Sequence, residues 1–210
     1  MAQAPVKQSF IIDGPEGGLE AMLESPESSD GSHIAILCHP HPRYQGTMLN
    51  KVVHTLARSM NDLGLMALRF NFRGVGKSEG AYGHGEGEIQ DLIAVADYAR
   101  LRWPGATIWL AGFSFGAVVA TRAAASIKPE RLVTIAPAVN VLGKELQSVP
   151  TMPWLVIQGD ADEVVPVGDV SSWVEKLEIQ PELIILPGVG HFFHGHLVDL
   201  RALLVKKLQD

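Results

Sequence analysis

Residues 107–125 read Thr-Ile-Trp-Leu-Ala-Gly-Phe-Ser-Phe-Gly-Ala-Val-Val-Ala-Thr-Arg-Ala-Ala-Ala. The apolar run Thr107 to Ala111 predicts a strand, and Ala117 to Ala125 is rich in helix formers, so Gly112-Phe113-Ser114-Phe115-Gly116 falls on the turn between them. Gly-x-Ser-x-Gly in that setting forces the serine into a strained turn that exposes its hydroxyl, while the two glycines let neighbouring backbones pass closely. The helix N-terminus behind it favours developing negative charge. Ser114 is therefore the candidate nucleophile. The same five residues also suit a plain strand-to-helix turn with a serine N-cap, so the chemical reading depends on partner groups elsewhere in the chain.

Working outward, further continuous apolar runs lie at Ile34 to Cys38, Leu65 to Phe70, Leu132 to Ala136, Trp154 to Ile157 and Leu183 to Leu186. Runs of this kind suit strands covered on both faces, as in a parallel sheet. Helical stripes separate them. Val52, Leu56, Met60 and Leu63 share a face, as do Ile89, Leu92, Ile93 and Ala96, then Val167, Val170, Trp173, Val174 and Leu177, and finally Leu197, Leu200, Leu204 and Leu208. Two alternating segments, Val6 to Ile12 and Leu19 to Glu24, flank the turn-forming Asp-Gly-Pro-Glu-Gly-Gly and predict an N-terminal antiparallel edge hairpin. The fold class is α/β: a three-layer α/β/α sandwich around a mostly parallel sheet, with right-handed crossovers. No repeat or composition break divides the chain, so residues 1–210 are expected to form one domain.

Ligands of such sheets bind at the carboxyl ends of the strands. A serine needs a base there, and the base an orienting acid. After Trp154 to Ile157 comes Gly159-Asp160-Ala161-Asp162-Glu163-Val164-Val165-Pro166, and after Leu183 to Leu186 comes Gly188-Val189-Gly190-His191-Phe192-Phe193. The order Ser, Asp, His is that of α/β-hydrolases. One oxyanion donor is expected from the Phe115 amide, next to the nucleophile. The second is expected from the loop after Cys38, His39-Pro40-His41-Pro42-Arg43-Tyr44, in which neither proline has an N–H to give.

Over nearly its whole length the sequence resembles the α/β-hydrolase superfamily, and in particular its short esterase-type members with a His-Pro-His-Pro loop. The resemblance implies that Asp162 is the acid, the second aspartate of Gly-Asp-x-Asp-x-x-Val-Pro, with Asp160 a turn former. It implies that His191, followed by two phenylalanines, is the base, while His194 and His196 continue toward the last helix. It also implies that the second oxyanion amide belongs to His41, with His39 holding the loop. No cofactor is implied. In this superfamily a cap after the sixth strand commonly shapes the pocket; here only about fifteen residues separate Ala138 from Met152, the length of an ordinary connection. A minimal or absent cap and an open site taking short or modest acyl esters are expected. A peptidase or amidase with the same triad, and a non-catalytic binding protein on the same fold, are the alternatives.

Other motifs point to bland roles. Asn71-Phe-Arg-Gly-Val-Gly-Lys-Ser78 comes close to a phosphate-binding loop but lacks its first glycine, and the glycine-rich Glu79 to Gly87 cannot begin the helix such a loop requires. A structural loop is expected. The histidines lack the spacing of a helical metal pair, Cys38 ends a buried strand as a small core residue, and the four tryptophans suit packing. A net charge of -6 without a basic run gives no electrostatic footprint for nucleic acid or an anionic membrane face. The expected partner is a small acyl substrate. Met1 to Phe10 lacks the pattern of a secretory signal, and a single cysteine precludes an internal disulfide, so a cytoplasmic location is expected.

Overall fold

The computed structural model describes residues 4–140 and 150–209. Its centre is an eight-stranded sheet: β1 (Val6–Gly14), β2 (Gly17–Ser25), β3 (His33–Cys38), β4 (Met66–Phe70), β5 (Thr107–Phe113), β6 (Arg131–Ile135), β7 (Trp154–Gly159) and β8 (Glu182–Leu186). In space the order is β1-β2-β4-β3-β5-β6-β7-β8. Strand β2 pairs antiparallel with both β1 and β4, and β3 to β8 are mutually parallel. The expected hairpin is thus present, with β1 at the sheet edge.

Five helices cover the sheet: α1 (Lys51–Asp62), α2 (Glu86–Arg102), α3 (Phe115–Ile127), α4 (Val167–Glu175) and α5 (Leu197–Leu208). Helices α2, α3 and α4 bury Leu92, Val119 and Val170 against one face of the sheet. Helices α1 and α5 bury Leu56 and Leu204 against the other. Strands β3 and β5 are therefore apolar along their buried lengths, because both of their faces are dry, whereas β4 interrupts its apolar run with the buried Arg69, which is ion-paired with Glu24 of β2. Strand β8 departs from that pattern. Its Leu-Ile-Ile-Leu run is equally apolar, but it lies at the other edge of the sheet and stays half-exposed.

The strand order reverses at β3, since β4 lies on one side of it and β5 on the other. The chain leaves β3 toward α1 on one face and β5 toward α3 on the opposite face, which opens a crevice at their carboxyl ends. The segment 71–78 lines the neighbouring end of β4 as a knotted loop and not as a phosphate cradle; the next helix begins only at Glu86. Asn71 accepts from the Met48 amide at 2.8 Å and donates to Glu20 at 2.8 Å, and the Ser78 hydroxyl donates to the Asn71 carbonyl at 2.7 Å. Arg73 is buried and donates through Nε and Nη2 to Asp91 at 3.0 and 2.8 Å, while the Arg73 amide donates to the same carboxylate at 2.9 Å.

Removing one member of a buried ion pair costs about 3–5 kcal/mol when the other charge is left uncompensated, and here Arg73 Nη1 keeps a second, half-exposed partner in Glu16. Asp91→Ala should therefore lower the unfolding free energy in urea titration by about 3 kcal/mol, the lower end of that range. A loss near zero would mean that Glu16 and the backbone contacts of the loop suffice to hold Arg73.

Candidate active site

The elbow is built from a backbone conflict that only this sequence relieves. Ser114 sits at φ 56° and ψ -116°, a region costly for a residue with a Cβ. Surrounding hydrogen bonds hold it there. The Ser114 amide donates to the Ile135 carbonyl at 2.9 Å, and the Ser114 carbonyl accepts from Ala117 at 3.1 Å and from Ala138 at 3.2 Å. A Cβ on Gly112 would overlap the Gly116 carbonyl, and one on Gly116 would overlap the carbonyls of Cys38 and His39. Both glycines of the motif are thus required for β5, α3 and the end of β3 to approach.

His191, after β8, and Asp162, after β7, converge on Ser114. The His191 Nδ1 atom lies 2.8 Å from Asp162 Oδ2, and His191 Nε2 lies 3.0 Å from Ser114 Oγ. All three residues are buried. Burial by itself raises the Asp162 pKa, but the His191 hydrogen bond and the amides of Val165 and Val164, at 2.7 and 2.9 Å, outweigh it and hold the carboxyl below its usual range. An ionised carboxylate is acceptor-only, so Nδ1 carries the proton that bonds to Asp162 and Nε2 of the neutral ring is left to accept from the serine hydroxyl. Phe113 and Phe192 pack against the imidazole with ring centroids 5.1 and 5.0 Å away.

Asp160, His194 and His196 lie outside this line of hydrogen bonds. Asp160 accepts from the Gly188 amide at 2.6 Å and pins the β7 and β8 loops together, away from His191. His194 stacks on Phe192, and His196 stands at the N-terminal end of α5 with its Nδ1 3.4 Å from Asp199. Cys38 is wholly buried, which pushes its thiol far above the usual range. Among the described residues no group of three or more His, Cys, Asp or Glu side chains is placed to hold a metal ion.

His39 is wholly buried, and burial lowers its pKa to about 4 despite the hydrogen bond to Pro40. Its Nε2 accepts from the Phe72 amide at 3.0 Å, so its Nδ1 bears the proton and donates to the Pro40 carbonyl at 2.7 Å. This clamps the 39–46 loop to the start of the 71–78 loop. His41 follows on the crevice side, and its ring lies 4.8 Å from that of Phe115. Among the described residues the backbone amides of His41 and Phe115 have no acceptor.

Two contributors escape a reading of the sequence. Gln158 donates to Asp162 Oδ2 at 3.0 Å and to the Val165 carbonyl at 2.9 Å, and Glu163 accepts from the His191 amide at 3.4 Å. Gln158 was signalled by its position, a polar residue closing an otherwise apolar strand.

A family model described as serine aminopeptidase, S33, matches residues 46–149. RP471, a protein of Rickettsia prowazekii (strain Madrid E), is 37% identical over 196 residues, covering 88% of this chain and 81% of its own. An α-β serine hydrolase homologue of Coxiella burnetii superposes with a TM-score of 0.91 at 46% identity, over 96% of this chain and 97% of that one. The chain belongs to the α/β serine hydrolases. A further member of the family, XC6422 of Xanthomonas campestris, is described as an a/b serine hydrolase without lid; it matches with a TM-score of 0.91 at 43% identity over 100% of this chain and 96% of its own. In this hydrolase the connection after β6 includes residues 141–149, which lie outside the described residues, so the expectation of a minimal cap falls largely there.

The depressed Asp162 pKa makes this carboxylate stabilising above its unfolded-state value and progressively less so as pH falls through its folded-state value. The stability difference between the native protein and Asp162→Asn should hold steady down to about pH 5 and shrink below about pH 4. Denaturant titrations across that range check it; a difference that grows on acidification would reverse the sign assigned here.

Proposed function

We propose that the protein is a carboxylesterase that hydrolyses short or modest acyl esters through an acyl-enzyme. The observation that carries the reading is the continuous line of hydrogen bonds from Asp162 through His191 to Ser114. His191 Nε2 removes the hydroxyl proton as Ser114 Oγ attacks the ester carbonyl. The amides of His41 and Phe115 receive the oxyanion, where fixed donors in a dry site act most strongly. Asp162 holds His191 in the required tautomer and stabilises the imidazolium. His191 then gives its proton to the departing alcohol, water enters, and the same groups hydrolyse the acyl-enzyme. No cofactor takes part in this cycle.

The short connection after β6 supports an open site that takes modest chains and not long lipids. Amide hydrolysis is the second reading, favoured by the description of the matching family model. The chemistry is shared, and the leaving group decides between them. The location we infer is cytoplasmic, where a lone buried thiol such as Cys38 stays reduced.

Incubation with a fluorophosphonate should add one adduct to the native protein and none to Ser114→Ala, as read by intact mass. Turnover of p-nitrophenyl butyrate should fall by about 10⁴-fold or more in the same variant, the scale set by other triads. Labelling or turnover that persists without Ser114 would overturn the assignment. With p-nitrophenyl butyrate and the matching p-nitroanilide side by side, faster ester turnover supports the esterase, and comparable anilide turnover supports the amidase.

A further inference from the structure

On the crevice side of the His39 to Tyr44 loop, three polar groups meet beside the nucleophile's neighbour Phe115. The Arg43 amide donates to His41 Nδ1 at 3.2 Å, so that nitrogen bears no proton. Burial also lowers the pKa of His41, against the pull of the Glu88 charge, and the ring is neutral. Its single proton is therefore on Nε2, which lies 3.1 Å from the Tyr82 hydroxyl oxygen and donates to it. With its oxygen accepting from His41, the Tyr82 hydroxyl has its own hydrogen left over. Among the described residues no acceptor takes it.

The Arg43 guanidinium stands 6.0 Å from the centre of the Tyr82 ring; it is exposed, and among the described residues it has no ion-pair partner. Glu88, a carboxylate whose charge acts on this cluster, is buried and turned away to the amides of Gly83 and Gly85 at 2.8 and 2.7 Å. Among the described residues two donors without acceptors thus meet at Tyr82, whose ring lies 6.1 Å from that of Phe115. Such a pair suits a group that only accepts, and a guanidinium with a second donor fits a carboxylate best.

Which part of the substrate would carry that carboxylate follows from the proton path. The leaving oxygen must face His191 Nε2. Phe192 packs on the His191 ring there, with ring centroids 5.0 Å apart, and a groove of about 280 Å³ beside Phe192 has mixed walls, Leu49 and Val52 together with Asn50 and Lys51. The alcohol belongs there, and the acyl chain turns to the opposite flank, toward Phe115 and Tyr82. Resting on the esterase reading above, we propose that the acyl site is selective for chains ending in a carboxylate, that is, half-esters of short dicarboxylic acids, with Arg43 and the Tyr82 hydroxyl as the specificity-determining residues.

The test compares p-nitrophenyl hydrogen glutarate with p-nitrophenyl hexanoate, chains of matched length that differ in charge. The readout is the ratio of their kcat/KM values, in which a general loss of activity cancels. In the native protein the ratio should exceed one by about tenfold, the worth of one charge-assisted hydrogen bond, and should shrink as salt is added. Arg43→Gln and Tyr82→Phe should each bring it down severalfold, and Arg43→Glu should push it below one. A native ratio at or below one, or a ratio that none of the three variants changes, would overturn the proposal while leaving the esterase reading intact. Absence of turnover on both esters together with absence of fluorophosphonate labelling would strike the esterase reading, and this inference with it.

Discussion

The backbone at Ser114 is the constraint on which the rest of the molecule depends. A residue with a Cβ held at φ 56° costs on the order of 1–3 kcal/mol, and persists only when its surroundings over-determine it. Here they do so from three directions: β6 supplies the Ile135 carbonyl, α3 closes onto the Ser114 carbonyl, and the chain after β6 returns to the same oxygen through Ala138. The close approach of β3 and β5 to α3 that results is permitted by Gly112 and Gly116 and by nothing larger. The product of the strain at Ser114 is a hydroxyl set at the mouth of the crevice instead of inside a helix.

Around that point the proton positions of three imidazoles follow from what each ring faces. His191 meets an ionised carboxylate on one side and a hydroxyl on the other, and so bears its proton on Nδ1. His39 meets a carbonyl and an amide, and also bears its proton on Nδ1; held neutral by burial, it serves as a strut between two loops. His41 receives an amide on Nδ1 and bears its proton on Nε2. The same side chain is thus a proton acceptor toward Ser114, a mechanical tie and a link to Tyr82 at three places within one crevice, and burial and hydrogen bonding separate the roles.

The sheet was legible in the sequence because dry strands and amphipathic helices leave different periods; the eight strands and helices α1, α2, α4 and α5 lie on runs that those periods predict, and α3 lies on a run of helix formers. The relation of Ser114, Asp162 and His191 was legible for another reason: each follows a strand, and parallel strands bring their carboxyl ends together whatever their distance in the chain. What the sequence does not carry is contact between loops. Tyr82 lies 41 positions from His41, in a glycine-rich stretch without periodicity, and its hydroxyl bond to that ring depends on how two irregular segments settle. The support of Asp162 by Gln158 is local, four residues apart, yet it needs the turn at Gly159, where a Cβ would collide with the Val189 carbonyl. The exposure of β8 was hidden because an edge strand and a central one can share the same apolar composition.

Every group with a tight geometric task in the proposed cycle is mounted on a strand end: Ser114 after β5, Asp162 after β7, His191 after β8 and the His41 amide just past β3. Rigid mounts of this kind hold catalytic atoms more accurately than long loops do, so the chemistry itself places no demand on a covering domain. A cap serves selection. With only about fifteen residues between Ala138 and Met152, selection falls to the segments that border the crevice. The β3–α1 loop brings Arg43, Tyr44 and Leu49, the β4–α2 loop brings Tyr82 and His84, and the turn before α5 brings Phe192. These side chains are unlike on the two sides of the triad: Arg43 stands by the Tyr82 ring on one, and Phe192 packs on the His191 ring on the other. A substrate with two unlike ends can lie in such a crevice in one direction only, which gives a small hydrolase a way to orient its ester without enclosing it.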